Sequence, residues 1–226
     1  MRSIELDGIR IKVIRKNIKN LHLHIKPPDG SVEITAPMFV SAEVISAFAR
    51  SRAEWIKERR AELAERARAE KAGYESGAVR YVWGRPMRLR TESGARTHVT
   101  AEGDRLSVTL RGEITPEKTA EALGEWYRRE LDAAIARRMP YWEKHTGLKC
   151  SSWQIRDMKT RWGSCSTATG KIRINLRLAQ KDPECLDYVL VHELAHLKQA
   201  DHGPHFKALM DGFLPGWREV RKKLNG

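Results

Sequence analysis

Cysteine is scarce in this chain, and its spacing suggests no pairing. The three residues Cys150, Cys165 and Cys185 are odd in number and contain no C-x-x-C pair, which excludes a disulfide framework and a thiolate zinc knuckle. Cys185 is read as a core residue. Long apolar runs are missing as well: none approaches the roughly 20 residues of a membrane span. The opening segment MRSIELDGIRIKV holds no signal-peptide block, so the expected compartment is the cytoplasm. Acidic side chains are outnumbered, 29 against 42 basic ones, for a net charge of +13. That excess draws polyanions to the surface, and non-specific contact with nucleic acid is one expectation, but it does not bear on the fold.

What is present is enough to build a core. A chain of 226 residues with 41% hydrophobic content accommodates one large domain or two small ones. The first third alternates: Ile11 and Val13, then Leu21, Leu23 and Ile25, then Val32 and Ile34 follow a period of two, the mark of half-buried strands. Asp29-Gly30 reads as a hairpin turn. His22 and His24 share a strand face and are read as exposed. Ser41 caps a helix with Glu43 in its first turn, and Val44, Ile45, Phe48, Trp55, Ile56 and Leu63 form its apolar stripe. The Glu-, Arg- and Ala-rich stretch 57–71 is read as a solvated helix face.

A second strand group covers Tyr81 to Leu110, broken by Gly84-Arg85-Pro86, Ser93-Gly94 and Glu102-Gly103-Asp104. Thr115-Pro116-Glu117 then opens a long helix, with Pro140 as a kink or stop and Gly147 as its end. A boundary near residue 114 divides the chain into 1–114, β-rich with one helix, and 115–226. No sequence repeat stands out.

The chemistry concentrates in the second region. Asp182-Pro183-Glu184 carries a capping side chain, a proline and an acid, in the order that starts a helix. Leu186, Val189, Leu190, Leu194 and Leu197 wrap much of that helix, so it is expected to be buried, and polar groups inside it need a reason. His192 and His196 stand one turn apart on one face, where two imidazoles can grip one ion. Zinc suits such nitrogen donors. Glu193 is rotated by about 100° from His192, so it can reach a water on the metal without occupying a coordination position. This is the His-Glu-x-x-His arrangement of zinc hydrolases.

A catalytic zinc site needs a third protein ligand. His202 is the favoured candidate, with Asp201 and Gly203-Pro204 breaking the helix so that the chain returns. His205 and Asp201 are the other donors within reach. With zinc in place, Glu193 would accept the proton of the attacking water and pass it to the leaving amine. The strand-like segment 171–178 has two assignments, an edge strand that holds substrate backbone by strand addition or a central strand. Arg161 or Asn175 could supply an oxyanion donor. Cys165 has no histidine–acid partners and is not read as a nucleophile.

Arg161-Trp-Gly-Ser-Cys-Ser166, Ile174-Asn175, Arg177-Leu178, the run Leu186 to Leu197 and His202-Gly-Pro together resemble the YgjP-like metallopeptidase domain family, related to the SprT and WLM zincins. Ala36-Pro37, Trp55-Ile56 and Tyr81 to Leu89 extend the resemblance over nearly the whole chain. Leu176 and Lys207 depart from the tryptophans common at those places, and neither departure removes a ligand. The resemblance implies an α+β chain in which an N-terminal β-rich region precedes a compact zincin-like domain built on the HExxH helix. It also implies zinc on His192, His196 and His202, Glu193 as base, and a protein or peptide substrate. The SprT and WLM relatives suggest an alternative: a nucleic-acid-associated protein, either a DNA-stimulated protease acting on DNA-bound proteins or a zinc-containing binding module. No oligomeric state is implied.

Overall fold

The computed structural model describes residues 2–27 and 29–226. The chain is α+β, with three small sheets and six α-helices among the described residues. It divides into two compact units, Met1–Ala72 and Gly73–Gly226. The sequence places its boundary at residue 114 instead. The second strand group belongs with the later helices, because Leu89, Leu106 and Val108 share one buried cluster with their side chains. Among the described residues no helix is long and apolar enough to cross a membrane.

In the first unit, β1 (Arg2–Leu6), β2 (Ile9–Lys16), β3 (His22–Lys26) and β4 (Ser31–Pro37) form a sheet of order β1-β2-β4-β3, with β2 and β4 parallel. Ile11, Val13, Val32 and Ile34 are buried against α1 (Ala42–Ser51) and the start of α2 (Ala53–Ala72), through Ile45, Ala49 and Ile56. Ser41 caps α1 by accepting from the Val44 N–H at 3.4 Å. The single stripe read from Val44 to Leu63 is broken at Arg52. There the Ser51 hydroxyl donates to the Phe48 carbonyl at 2.8 Å and competes with the helical pattern. Val44 and Trp55 are left exposed.

The second unit opens with β5 (Val79–Val82), β6 (Arg85–Gly94), β7 (His98–Glu102) and β8 (Arg105–Arg111), in the order β5-β6-β8-β7 with β6 and β8 parallel. This repeats the first sheet. The hairpin pairs Ile4–Ile11 and Leu6–Ile9 of one correspond to Arg80–Met87 and Val82–Arg85 of the other. The turns match too: φ is 49° at Asp7 and 75° at Gly8, and 49° at Trp83 and 79° at Gly84. Each sheet leads into a helix with a hydroxyl cap, Ser41 for α1 and Thr115 for α3 (Pro116–Thr146). The chain therefore contains a structural duplication that its side chains do not advertise.

The second copy supports the element that matters most. A bulky residue at positive φ is disfavoured, and Trp83 is held there by docking. Its N–H donates to the Ala179 carbonyl at 2.9 Å, and the Gly84 N–H donates to the Gln180 carbonyl at 3.4 Å. A side chain at Gly84 would strike Asp182, whose Oδ1 lies 1.9 Å from the Cβ position. The turn thus braces the segment leading into α4 (Pro183–His196). Helix α3 lies along α4. Asp187 of α4 accepts from the Trp142 indole at 2.8 Å and pairs with Arg138. Pro140 neither ends nor interrupts α3, which continues to its stop at Gly147, φ 69°. A smaller sheet, β9 (Ser152–Arg156), β10 (Gly163–Ser166) and β11 (Lys171–Asn175), has the order β10-β11-β9. Helices α5 (Pro204–Phe213) and α6 (Trp217–Asn225) complete the unit.

Candidate metal centre

Helix α4 is buried on nearly every side, including Leu186, Val189, Leu190, Val191, Leu194 and Ala195. Its expected cap does not form. Asp182 makes no side-chain capping bond and pairs instead with Lys223 at 2.7 Å. At the other end the helix stops at His196, and His196 Nδ1 lies 3.1 Å from the Gln199 carbonyl. Donation from Nδ1 to that carbonyl fixes the tautomer and leaves Nε2 as a lone-pair donor. The chain then turns through Asp201, whose carboxylate accepts from Gln199 Nε2 at 2.9 Å and from the Gly203 N–H at 2.7 Å. Asp201 is thereby a turn residue, and the turn returns His202 to α4. His205, at the start of α5, is exposed and is not part of the histidine cluster.

Three imidazoles converge. His192 Nε2 lies 3.2 Å from His196 Nε2 and 3.0 Å from His202 Nε2, and the ligand atoms of all three lie within 4.8 Å of one another. Zinc–nitrogen bonds of 2.0–2.1 Å at a tetrahedral ion put neighbouring nitrogens about 3.3 Å apart. Nitrogens this close need a shared N–H or a cation among them, because their lone pairs otherwise repel. A proton is a poor candidate for His192, whose pKa is depressed to about 3 by burial and then by His196, His202 and Arg221. The donor set fits a divalent metal. Beneath it, the buried ring of Phe206 lies 4.7–4.9 Å from all three imidazole centroids and supplies an apolar backing.

Glu193 is the second unusual group. It is 4% exposed, and its Oε2 is buried without a partner. Burial raises its pKa to about 8 against the opposing charge of Arg161. The carboxylate lies against Gly163, where a Cβ would stand 2.4 Å from Oε1 and 2.8 Å from Cδ and Cγ. Gly163 is the first residue of β10, and its missing side chain makes room for the acid. A cavity of about 800 Å³ opens here, lined by the histidines and Glu193, by Gly163 to Cys165, and by Tyr188, Arg161, Arg221 and Asn225.

Of the two oxyanion candidates, Asn175 cannot offer its amide to a substrate, because Nδ2 donates to the Met158 and Arg161 carbonyls at 2.8 and 2.7 Å. Arg161 does line the cavity. Strand β11 is central, so the edge beside the metal site belongs to β10. Cys165 has its thiol pKa raised by burial and by Glu193, the reverse of an activated nucleophile. His22 and His24 stack at 6.3 Å and have no third donor near enough to count among the described metal-competent clusters. Sequence reasoning missed Tyr188, Arg221, Asn225 and Phe206. Only Tyr188 had a local signal, standing four residues before His192 on the same helical face.

The two large shifts make opposite demands in the metal-free protein. A carboxyl with a raised pKa contributes stability below its unfolded value of 4.5 and loses it as pH climbs toward 8. A histidine with a depressed pKa contributes stability above 6.5 and loses it as pH falls toward 3. Between pH 6.5 and 8 only Glu193 changes, so apo-protein stability is expected to fall by about 2 kcal/mol there. Denaturant melts of chelated protein check this, with Glu193→Gln expected to remove the slope. A decline of equal size in that variant would assign the effect elsewhere.

The model of the YgjP-like metallopeptidase domain matches residues 19–226. A search of curated proteins finds no match. Among solved structures, the metallopeptidase zymogen of Pyrococcus abyssi abylysin is similar at 23% identity, over 40% of this chain and 90% of that one, with a TM-score of 0.37. The metallopeptidase zymogen of Methanocaldococcus jannaschii jannalysin is similar at 25% identity, over 40% of this chain and 87% of that one, also with a TM-score of 0.37.

Proposed function

The chain belongs to the YgjP-like metallopeptidase domain family, and from that membership we propose that it is a zinc-dependent peptidase of zincin type. We assign His192, His196 and His202 as ligands and Glu193 as general base. A metal cofactor is implied by the family. The observation that carries the assignment is the meeting of three imidazole nitrogens beside a buried, unpartnered carboxylate.

When bound, zinc would supply Lewis acidity and lower the pKa of a coordinated water. The residues present would do the rest. The Nδ1 contact of His196 to Gln199 holds its Nε2 toward the triad. Phe206 backs the rings with apolar surface, which keeps bulk water from that side. Glu193, one position past His192, would take the water proton at a carboxylate oxygen and deliver it to the departing amine. Burial raises the carboxyl pKa in the metal-free protein, and a cation held by the neighbouring histidines would favour the carboxylate form that accepts the proton.

Substrate would lie along β10. That strand pairs with β11 on one side only among the described residues, and Gly163, Ser164 and Cys165 line the cavity. An extended peptide can add to such an edge through backbone hydrogen bonds, which reads length and direction more than side chains. Arg161 stands beside Glu193, close enough to influence its charge. We place Arg161 as the donor for the developing oxyanion. The test is cleavage of an unfolded protein, followed by mass spectrometry, before and after chelation and after zinc is restored. Zinc-dependent cleavage at internal bonds supports the reading, and chelator-resistant cleavage contradicts it.

A further inference from the structure

Two arginine-lined clefts of the second unit have no part in the metal centre. The first, of about 690 Å³, brings together Arg85 of β6 and Arg137 and Arg138 of α3, with Trp83 in its wall. Its only carboxylate is Asp182, already engaged by Lys223 at 2.7 Å. The second, of about 450 Å³, is lined by Arg88, Arg90 and Arg105, with Asp104 as its one acid. The clefts flank a single turn, since Gly103 lines one and Asp104 the other.

The pairing of these cations is poor for folding and good for an anion. Arg88 and Arg105 stand directly opposite each other on parallel strands, where like charges repel. Arg138 is paired with Asp187, and Arg90 has Glu92 at 3.9 Å. Arg85, Arg88, Arg105 and Arg137 are exposed, and no carboxylate lies within ion-pairing distance of any of them among the described residues. Aromatic surface is interleaved with them. Tyr81 is 50% exposed and shares the sheet face of Arg88, because Tyr81 pairs with Pro86 and Val79 with Arg88. By the same alternation, Arg85 lies on the opposite face with Met87.

We infer that this end of the β5–β8 sheet is a track for single-stranded nucleic acid, its phosphates held by the two arginine clefts and its bases stacked on Trp83 and Tyr81. Guanidinium forks match phosphate oxygens, and aromatic platforms accept any base. Clefts on opposite faces of a sheet, joined around a turn, require a ligand that bends sharply. A single strand does so at low cost, whereas a duplex is stiff over that distance. The inference does not depend on the peptidase reading, because none of these residues lines the metal cavity.

The experiment is fluorescence anisotropy of the full chain with mixed-sequence DNA and RNA single strands of about 15 nucleotides, the same sequence as duplex, and polyglutamate as competitor. Replacing Arg85, Arg88, Arg105 and Arg137 together by Ala should weaken single-strand binding about tenfold or more and reduce the slope of log affinity against log salt by about 3. Tyr81→Ala, which removes an exposed ring and should leave the fold intact, should cost about tenfold with little change in that slope. Replacing Arg50, Arg52, Arg66 and Lys149, exposed elsewhere, removes the same charge and should have a much smaller effect. The DNA and RNA arms identify which strand is preferred. Equal loss in the two quadruple variants, no loss in the first, equal or tighter binding of duplex, displacement by polyglutamate at matched charge, or no binding by the native chain at low salt would each overturn the assignment.

Discussion

Replacing Glu193 by Gln is expected to leave the fold and the metal in place and to lower peptide hydrolysis by roughly 10²–10⁴-fold, the usual contribution of a positioned general base. Glutamine has nearly the same volume, so it fits the narrow space against Gly163, where the acid now lies. It puts an amide atom in the place of a buried carboxylate oxygen that has no partner, so stability should change little near neutral pH. What it cannot do is accept a proton. The measurement is the cleavage rate of an unfolded protein beside zinc content and melting temperature, all on one preparation. Wild-type cleavage by the variant would remove Glu193 from the role of base. A simultaneous loss of zinc would show that the substitution disturbs the ligands as well.

The second large effect is expected at a residue with no functional group. In Gly163→Ala the new methyl carbon would stand 2.4 Å from Glu193 Oε1 and 2.8 Å from its Cδ and Cγ. No real Cβ tolerates such contacts, so either the carboxylate or strand β10 must move. The strand is pinned by its register to β11, in which Gly163 pairs with Ile174, and by the Asn175 N–H donating to the Trp162 carbonyl at 2.9 Å. The carboxylate is therefore the part that shifts, and a displacement of about 1 Å at a catalytic group can cost on the order of 10²-fold in rate. Overpacking adds about 1–3 kcal/mol of destabilisation. The expected result is a fall in kcat with KM and zinc content nearly unchanged. A variant that cleaves normally would mean that the acid has another productive position.

These two residues also show what a sequence can and cannot disclose. His192, Glu193 and His196 are legible because helix geometry alone sets their relation, and a helix buried by Leu186, Leu190 and Leu194 is easy to recognise. His202 is within reach because only a short turn separates it from α4. Gly163 stands out as a glycine, but its use depends on a contact with a residue thirty positions away in the chain, which no local pattern carries. Strand β11 shows its two faces through Ile172 and Ile174 against Lys171 and Arg173. Alternation reports faces and not neighbours, so its central place in the sheet is invisible. Asp182 has the right residue type for a cap and loses that role to Lys223, which arrives on a distant helix.

The duplicated sheet is hidden for a related reason. The copies share strand order, hairpin register and a turn with two positive φ angles. Asp7-Gly8 and Trp83-Gly84 have only the glycine in common. Asp fits such a turn well, while Trp83 is tolerated through its docking on Ala179. Backbone conformation is shared where side chains are not, and a reading based on side chains sees two unrelated strand groups.

Metal stoichiometry tests the central claim most directly. Elemental analysis of the purified wild type, His202→Ala and His205→Ala, each dialysed against the same trace zinc, compares two histidines three residues apart in one turn-and-helix segment. Only His202 has its ring nitrogen beside the α4 pair, 3.0 Å from His192 Nε2, whereas His205 is exposed at the start of α5. About one zinc per chain in the wild type and in His205→Ala, with most of it lost in His202→Ala, is the expected result. Zinc retained by His202→Ala and lost from His205→Ala would contradict the assignment of the site.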